Sequence, residues 1–225
     1  MNVCLLCGQS CRRTLHVYNF YKAPHPLCTQ CQSQWTATRI AHDEAPRCTR
    51  CLKVLAQTDV RCPDCAMLAK HFRPIDQLYC DFAYTSIVKD TLHRYKLQFD
   101  VALSDVLARQ CRLPNIDYDM VVPIPSPRVR DEARTFNPVC EVLDCMGVAY
   151  ETVLQSHIRT KQSTLSKASR LQQANPFYIT EAEKVHHRHI LLVDDIYTTG
   201  LTVHHAAELL FTRKIRKISV FTFSR

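Results

Sequence analysis

Glycine is scarce in this chain, with three residues in 225, where a share of about 7% is usual. Few backbone positions can therefore require a left-handed conformation, and the glycines present, Gly200 above all, mark them. Also missing is any apolar run approaching the roughly 20 residues that a bilayer crossing needs, which excludes a membrane-spanning helix. The opening Met-Asn-Val-Cys-Leu-Leu-Cys-Gly has no basic region followed by a long apolar core. No secretory signal is expected, and the cytoplasm is the expected location. The rest of the composition, 46% hydrophobic and 22% charged, is that of a globular protein. The length suits one medium domain and a small one.

Cysteine is abundant. There are thirteen, an odd number in a chain without a secretion signal, which argues against a disulfide framework. Eight form four Cys-x-x-Cys pairs: Cys4/Cys7, Cys28/Cys31, Cys48/Cys51 and Cys62/Cys65. Each pair can place two sulfurs on one tetrahedral ion, and two pairs complete a site. The Cys51-to-Cys62 spacing is short, as in a zinc ribbon; that from Cys7 to Cys28 suits treble-clef and ribbon-like sites. Free buried cysteines or redox pairs are the competing readings, but a redox protein usually carries one such motif, not four in series. Sequential pairing is expected, with Cys4, Cys7, Cys28 and Cys31 on one zinc and Cys48, Cys51, Cys62 and Cys65 on the other. A cross-brace is the alternative, and Cys11, His16 and His25 are weaker candidate ligands within the first loop. Four-thiolate sites have no open position, so both zinc ions are expected to be structural, standing in for a core that so short a segment cannot build. Residues 1–70 thus read as a four-knuckle zinc-binding module and 71–225 as a second domain.

The formal charge of +8 falls to +4 if eight thiolates hold two divalent ions, so total charge is a weak argument for nucleic acid. Within the module, Arg12, Arg13, Arg39, Arg47, Arg50, Lys53 and Arg61 accompany Trp35, Tyr18, Phe20 and Tyr21. Basic groups interleaved with aromatic faces suit single-stranded nucleic acid; a solvated surface over a tiny aromatic core is the plainer alternative.

The most informative stretch is His189 to Val203. Ile190 to Val193 is an apolar run of buried-strand length, closed by Asp194 and Asp195. Ile196, Tyr197, Thr198, Thr199, Gly200 and Thr202 follow. Val203, Ala206, Ala207, Leu210 and Phe211 then fall on one helical face. Strand, acidic pair, hydroxyl-rich turn and helix N-terminus in that order present backbone N–H groups and a positive dipole end to an anion. Paired acids beside such a cradle suit ribose hydroxyls or a magnesium ion. The expected ligand is a phosphorylated sugar; an ordinary strand-to-helix turn capped by Asp195 or Thr199 is the plain alternative.

Elsewhere, His71–Pro74 reads as a boundary and 78–85 as a strand. Leu92, Tyr95, Phe99, Leu103, Val106 and Leu107 recur at helical spacing, so 88–111 contains a helix or two, with Lys89, His93, Arg94 and Lys96 on the other face. Met120–Ile124 is a strand running into prolines and Arg128, Arg130 and Arg134, a possible second anion loop. A helix over Val139–Met146 ends at Gly147. Residues 155–178 are polar, basic and aperiodic, as in a surface loop or a mobile lid. His186, His187 and His189 read as a solvated turn more readily than as metal ligands.

Val-Asp-Asp-Ile-Tyr-Thr-Thr-Gly at 193–200 strongly resembles the phosphoribosyl-pyrophosphate loop of type I phosphoribosyltransferases. Tyr95-Lys96, Val-Pro-Ile-Pro at 122–125 with Arg134-Thr135-Phe136-Asn137, and the set Arg159, Gln162, Leu165, Arg170, Asn175 and Phe177 are similar to further signatures of the ComF/ComFC family. Thr135 and Leu201 stand where that pattern has glycine and a small residue. The resemblance covers essentially the whole chain. It implies an α/β fold, a type I phosphoribosyltransferase-like parallel sheet flanked by helices, behind a small zinc-ribbon-like module. It also implies a competence protein that handles single-stranded DNA in the cytoplasm during natural transformation, with DNA-uptake or recombination proteins as partners. Residues 194–200 and Thr202 would bind phosphoribosyl pyrophosphate with magnesium, in an effector or unknown role. Arg128, Arg134, Lys96, Lys161 and Arg170 are its pyrophosphate-loop candidates. The alternative function is an active phosphoribosyltransferase, a glycosyltransferase in which Arg159 covers the leaving pyrophosphate.

Overall fold

The computed structural model describes residues 2–11, 17–18, 20–21, 24–42, 45–56, 60–157 and 174–225, without the side chains of residues 2, 42 and 128–130. In chain order the elements are β1 (Asn2–Val3), β2 (Ser10–Cys11), α1 (Thr29–Thr36), α2 (Pro63–Leu68) and β3 (Gln77–Tyr79). Next come α3 (Ser86–Leu97), α4 (Leu103–Gln110), β4 (Met120–Pro123), α5 (Arg128–Arg134) and α6 (Pro138–Met146). The last are β5 (Leu154–Ser156), β6 (Phe177–Ile179), β7 (His189–Ile196), α7 (Leu201–Phe211) and β8 (Lys217–Ser224).

The central sheet has the order β3-β8-β7-β4, and every pairing in it is parallel. The expected parallel sheet flanked by helices is therefore present. Ile190 to Val193 are fully buried, as a central parallel strand covered on both faces requires. Alternate residues divide between two cores. Val122, Ile190, Leu192, Ile218 and Val220 face one side with α7 and the second cysteine set. Val121, Leu191, Val193, Phe221 and Phe223 face the other with α3, α4, α6 and the first set. The two sets of knuckles thus pack on opposite faces of one sheet. Leu78 N also donates to Arg50 O at 2.8 Å, stitching the third knuckle to the edge strand.

Three expectations need correction. The strand read over 78–85 is regular only at 77–79. Beyond Tyr79 the chain leaves the β8 ladder and bonds to 38–40 and Arg225 instead, through Ile40 N to Asp81 O and Tyr84 N to Arg225 O. Phe99 is not a core residue. It is 47% exposed and takes a left-handed φ of 59° in the break between α3 and α4. The ends of the aperiodic stretch 155–178 are not loop: β5 and β6 pair antiparallel, Leu154 to Ile179 and Ser156 to Phe177. The helix over α6 stops as read, with Gly147 at φ 67°.

The outer side of α7 is covered too. Val203, His204, His205, Ala206, Ala207 and Leu210 are all buried. Phe72 packs on the rings of His204 and His205 at 5.8 and 5.1 Å. A helix held between the sheet on one side and Phe72 with the second cysteine group on the other can bury both faces, which explains histidines in a position that usually faces water.

Candidate functional site

The eight paired cysteines fall into two groups, Cys4/Cys7/Cys28/Cys31 and Cys48/Cys51/Cys62/Cys65, with all sulfurs of a group within 4.8 Å of one another. Sulfurs on a tetrahedral zinc at about 2.3 Å would stand roughly 3.8 Å apart. Cys7–Cys28 is 3.7 Å, Cys48–Cys65 3.8 Å and Cys51–Cys62 3.4 Å, so the donor sets fit zinc in sequential pairing, not in a cross-brace. Cys28 and Cys62 each cap a helix, accepting from the amides of Cys31 and Cys65. That places the third and fourth sulfur of each set at a helix N-terminus. A hydrogen bond from Cys65 holds the Cys51 thiol far below its ordinary range, at about 4, against the effect of burial; the Lys53 amide and Arg225 add to it. Of the weaker candidate ligands, Cys11 lies near Gln9 O and His25 Nδ1 accepts from Leu27 N, outside both groups; His16 lies outside the described residues.

At the carboxyl end of β7 the chain forms a compact turn. Asp194 is partly exposed and Asp195 buried, and the Asp195 amide donates to Asp194 Oδ1 at 2.9 Å. Lys96, on α3, reaches Asp195 Oδ2 at 2.6 Å. Burial, then the neighbouring Asp195 charge, pushes the Asp194 carboxyl up to about 8; the Asp195 amide and the Lys96 ammonium oppose this. Thr198 is exposed and Thr199 half-buried, and Gly200 takes φ 80° at the N-cap of α7 with no side-chain cap. The first intrahelical bond runs from His204 N to Gly200 O, 2.9 Å, so the amides of 201–203 have no acceptor within the helix. A Cβ at Gly200 would stand 2.1 Å from Tyr197 Oη, so no side chain fits there. Acids, amides and a helix start face one another where open parallel sheets bind ligands.

The second anion loop is arranged differently from its sequence reading. Arg134 is 5% exposed. Its Nη2 donates to Asp131 Oδ1 at 3.0 Å and Ser126 Oγ at 3.2 Å, and Asn137 joins the same network. Arg134 therefore braces the loop from inside. Thr135 holds the turn at φ 67°, the left-handed conformation for which the family pattern has glycine. Arg128 has its backbone in α5 and its side chain outside the description; Arg159, Lys161 and Arg170 lie outside the described residues altogether.

Of the aromatics, Tyr18, Phe20 and Tyr21 are 83%, 67% and 66% exposed, whereas Trp35 is fully buried, edge-on to Phe82. Among the basic residues, Arg39 lies over the Phe82 ring at 4.8 Å, Arg47 donates to Leu52 O and Lys53 pairs with Asp64. Arg12 and Arg13 lie outside the described residues. His189 is structural, its ring between Asp117 O and Ser219 Oγ.

The chain is 28% identical to the "Competence protein ComFC" of Streptococcus pneumoniae over 228 residues, 99% of both chains. It is equally 28% identical to that of Bacillus subtilis, covering 99% of this chain and 95% of the relative. It is 23% identical to "Competence protein F" of Haemophilus influenzae over 96% of its length. The similarity to these competence proteins runs essentially end to end. No family model matches it. Two solved structures share 17% identity: an allosteric regulatory enzyme of purine biosynthesis and the glutamine phosphoribosylpyrophosphate amidotransferase of B. subtilis. Their TM-scores are 0.34 and 0.35, over 55% of this chain but 25% and 26% of theirs.

Two arginines essential to the arrangement carry no local signal. Arg94, placed by the helical period on the face opposite the apolar one, donates to Leu5 O and Leu6 O at 3.1 and 3.0 Å and pairs with Asp100, tying α3 to the first knuckle. Arg225 joins the second cysteine group to the turn after β7, across 174 residues of sequence. A hydrophobic period reports which face is buried, and it says nothing of a charged partner so distant.

Proposed function

We propose that this chain is a competence protein that handles single-stranded DNA in the cytoplasm during natural transformation. In this reading the turn after β7 binds phosphoribosyl pyrophosphate with magnesium as an effector. The observation that carries the ligand is the acidic pair Asp194/Asp195, with Lys96 on Asp195, leading into the Gly200 turn and the uncapped start of α7. Asp194 and Asp195 would hold ribose hydroxyls or magnesium, and residues 198–202 the 5′-phosphate. The end-to-end similarity to competence proteins supports the cellular role. The exposed Tyr18, Phe20 and Tyr21 support contact with unpaired bases, which stack on aromatic faces. Among the described residues no helix is long and apolar enough to cross a membrane.

Calorimetry with phosphoribosyl pyrophosphate and magnesium tests the ligand: saturable binding abolished by Asp195→Ala supports it, and no binding by the parent refutes it. Pyrophosphate release with a panel of bases, lost in the same variant, would replace the effector role with phosphoribosyl transfer. Binding of a labelled single strand that weakens steeply with salt supports the DNA role; a flat dependence refutes phosphate contacts.

A further inference from the structure

The turn after β7 is held from beneath by Arg225, a residue outside its motif. Its backbone is fixed by Tyr84 N to Arg225 O at 2.9 Å and Arg225 N to Phe82 O at 3.0 Å. Its guanidinium then spans two structures. On one side Nε donates to Cys51 O at 2.6 Å, and Nη2 lies 3.6 Å from Cys51 Sγ. On the other, Nη1 donates to Tyr197 O and Thr198 O, both at 3.1 Å. In a trans peptide the C=O of one residue and the N–H of the next point in opposite directions. Fastening these two carbonyls to one cation therefore turns the N–H groups of Thr198 and Thr199 away from it. Successive N–H groups aimed to one side form an anion-binding concavity.

Tyr197 completes the support. Its ring lies 5.3 Å from the Arg225 guanidinium and packs in one core with Cys48, Cys51, Cys62 and Cys65. Its Oη is buried without a hydrogen-bond partner among the described residues, wedged where a Gly200 side chain would stand. A buried hydroxyl left unpaired is costly, and it is retained here beneath the turn.

We propose that Arg225 positions the phosphate loop and makes anion binding there depend on the metal held by Cys48, Cys51, Cys62 and Cys65. This rests on the phosphoribosyl-pyrophosphate reading of the loop. Four thiolates around a divalent ion leave a net negative charge, and a guanidinium on Cys51 offsets it while orienting the knuckle, as outer partners of metal ligands do. Without the ion the sulfurs lose their common centre, and the Cys51 carbonyl that anchors Arg225 is no longer fixed. The peptide planes at 197–199 are then free to turn. The cysteine module would thus act on ligand binding as well as on folding.

The test uses the full chain with its metal. Zinc content, amide exchange and calorimetric affinity for phosphoribosyl pyrophosphate with magnesium are compared among the parent, Arg225→Gln, Arg225→Lys and Cys65→Ser. Arg225→Gln is expected to keep both zinc ions and the protection of β7 and β8. Its amides at 198–203 should exchange faster, and affinity should fall about tenfold or more, as loss of a charged hydrogen-bonding partner implies. Arg225→Lys keeps the charge without the fork and should restore neither loop protection nor affinity. Cys65→Ser should lose one zinc and show the same local loosening. Unchanged loop exchange and affinity in Arg225→Gln would overturn the proposal, as would a fully protected loop in Cys65→Ser. If the parent binds no phosphoribosyl pyrophosphate, the ligand reading fails, and loop exchange alone still decides the coupling. If Cys65→Ser unfolds, shown by lost β7 protection, stripping zinc from the parent with a chelator decides the metal dependence: faster exchange at 198–203 with β7 still protected supports it, and a fully protected loop overturns it.

Discussion

Replacing Asp194 with asparagine should stabilise the protein while disabling its site. In the folded chain the Asp194 carboxyl keeps its proton to about pH 8, because burial and then the Asp195 charge disfavour ionisation. In the unfolded chain it gives the proton up near pH 4. Between those values the folded state binds more protons than the unfolded one, so raising the pH favours unfolding. Any stability advantage of the neutral carboxyl is complete below pH 4 and is lost progressively towards pH 8. The full displacement would correspond to ~4 kcal/mol at pH 7. Partial solvent access to Asp194 and relaxation of Lys96 reduce this to about 1–2 kcal/mol. Asparagine keeps the shape and the acceptor for the Asp195 amide without a charge to bury. Asp194→Asn should therefore melt about 3–6 °C above the parent at pH 8. The gap should shrink towards pH 5 and stay constant above pH 8. Paired melting curves across that range, with zinc content checked, measure it. A variant no more stable than the parent at pH 8, or a gap that does not widen with pH, would refute the reasoning. In the same protein the affinity for phosphoribosyl pyrophosphate with magnesium should drop, the usual trade between stability and a strained site.

Gly200→Ala puts a Cβ 2.1 Å from Tyr197 Oη at φ 80°; a loss of about 2–4 kcal/mol and of sugar-phosphate binding is expected in denaturant titrations and calorimetry. Thr135→Gly relieves the left-handed φ of 67° and should add about 0.5–1 kcal/mol in urea unfolding; a loss would mean that the bond from Thr135 Oγ1 to Arg134 O outweighs the strain. Tyr197→Phe removes the unpaired buried hydroxyl while keeping the ring, and should raise stability by about 1 kcal/mol without loosening the loop. Metal analysis should give two zinc ions per chain; clearly fewer would refute the assignment to the two groups.

Local chemistry made much of this protein readable. Cys-x-x-Cys spacing puts two sulfurs on one turn of chain, so the knuckles needed no knowledge of the fold. The run from His189 to Val203 announced strand, acids, turn and helix, because each carries its own period or its own turn residue. In a chain with three glycines, one beside a buried strand and an amphipathic helix pointed to the turn. Aligned partners were harder. Sequential pairing was favoured over a cross-brace by spacing alone, and sulfur distances of 3.4–3.8 Å decided it. Phe99 matched the helical period yet faces solvent, since the period continues through a break that the backbone takes at φ 59°.

By itself the sequence determined the Cys-x-x-Cys pairs, the buried strand and the acidic turn, all products of neighbours within a few residues, while the parallel α/β sheet followed from the family resemblance. Only the tertiary structure decided which charges serve the turn and which serve the scaffold. Arg134, an apparent anion ligand, is enclosed by Asp131 and Ser126, whereas Lys96 reaches Asp195 from another element. It also placed the two cysteine sets on opposite faces of the sheet and ran Arg225 from one of them to the turn. The reason is range: hydrophobic period and turn chemistry act along the chain, while the partner of a long charged side chain is chosen by folding, 174 residues away for Arg225 and Cys51.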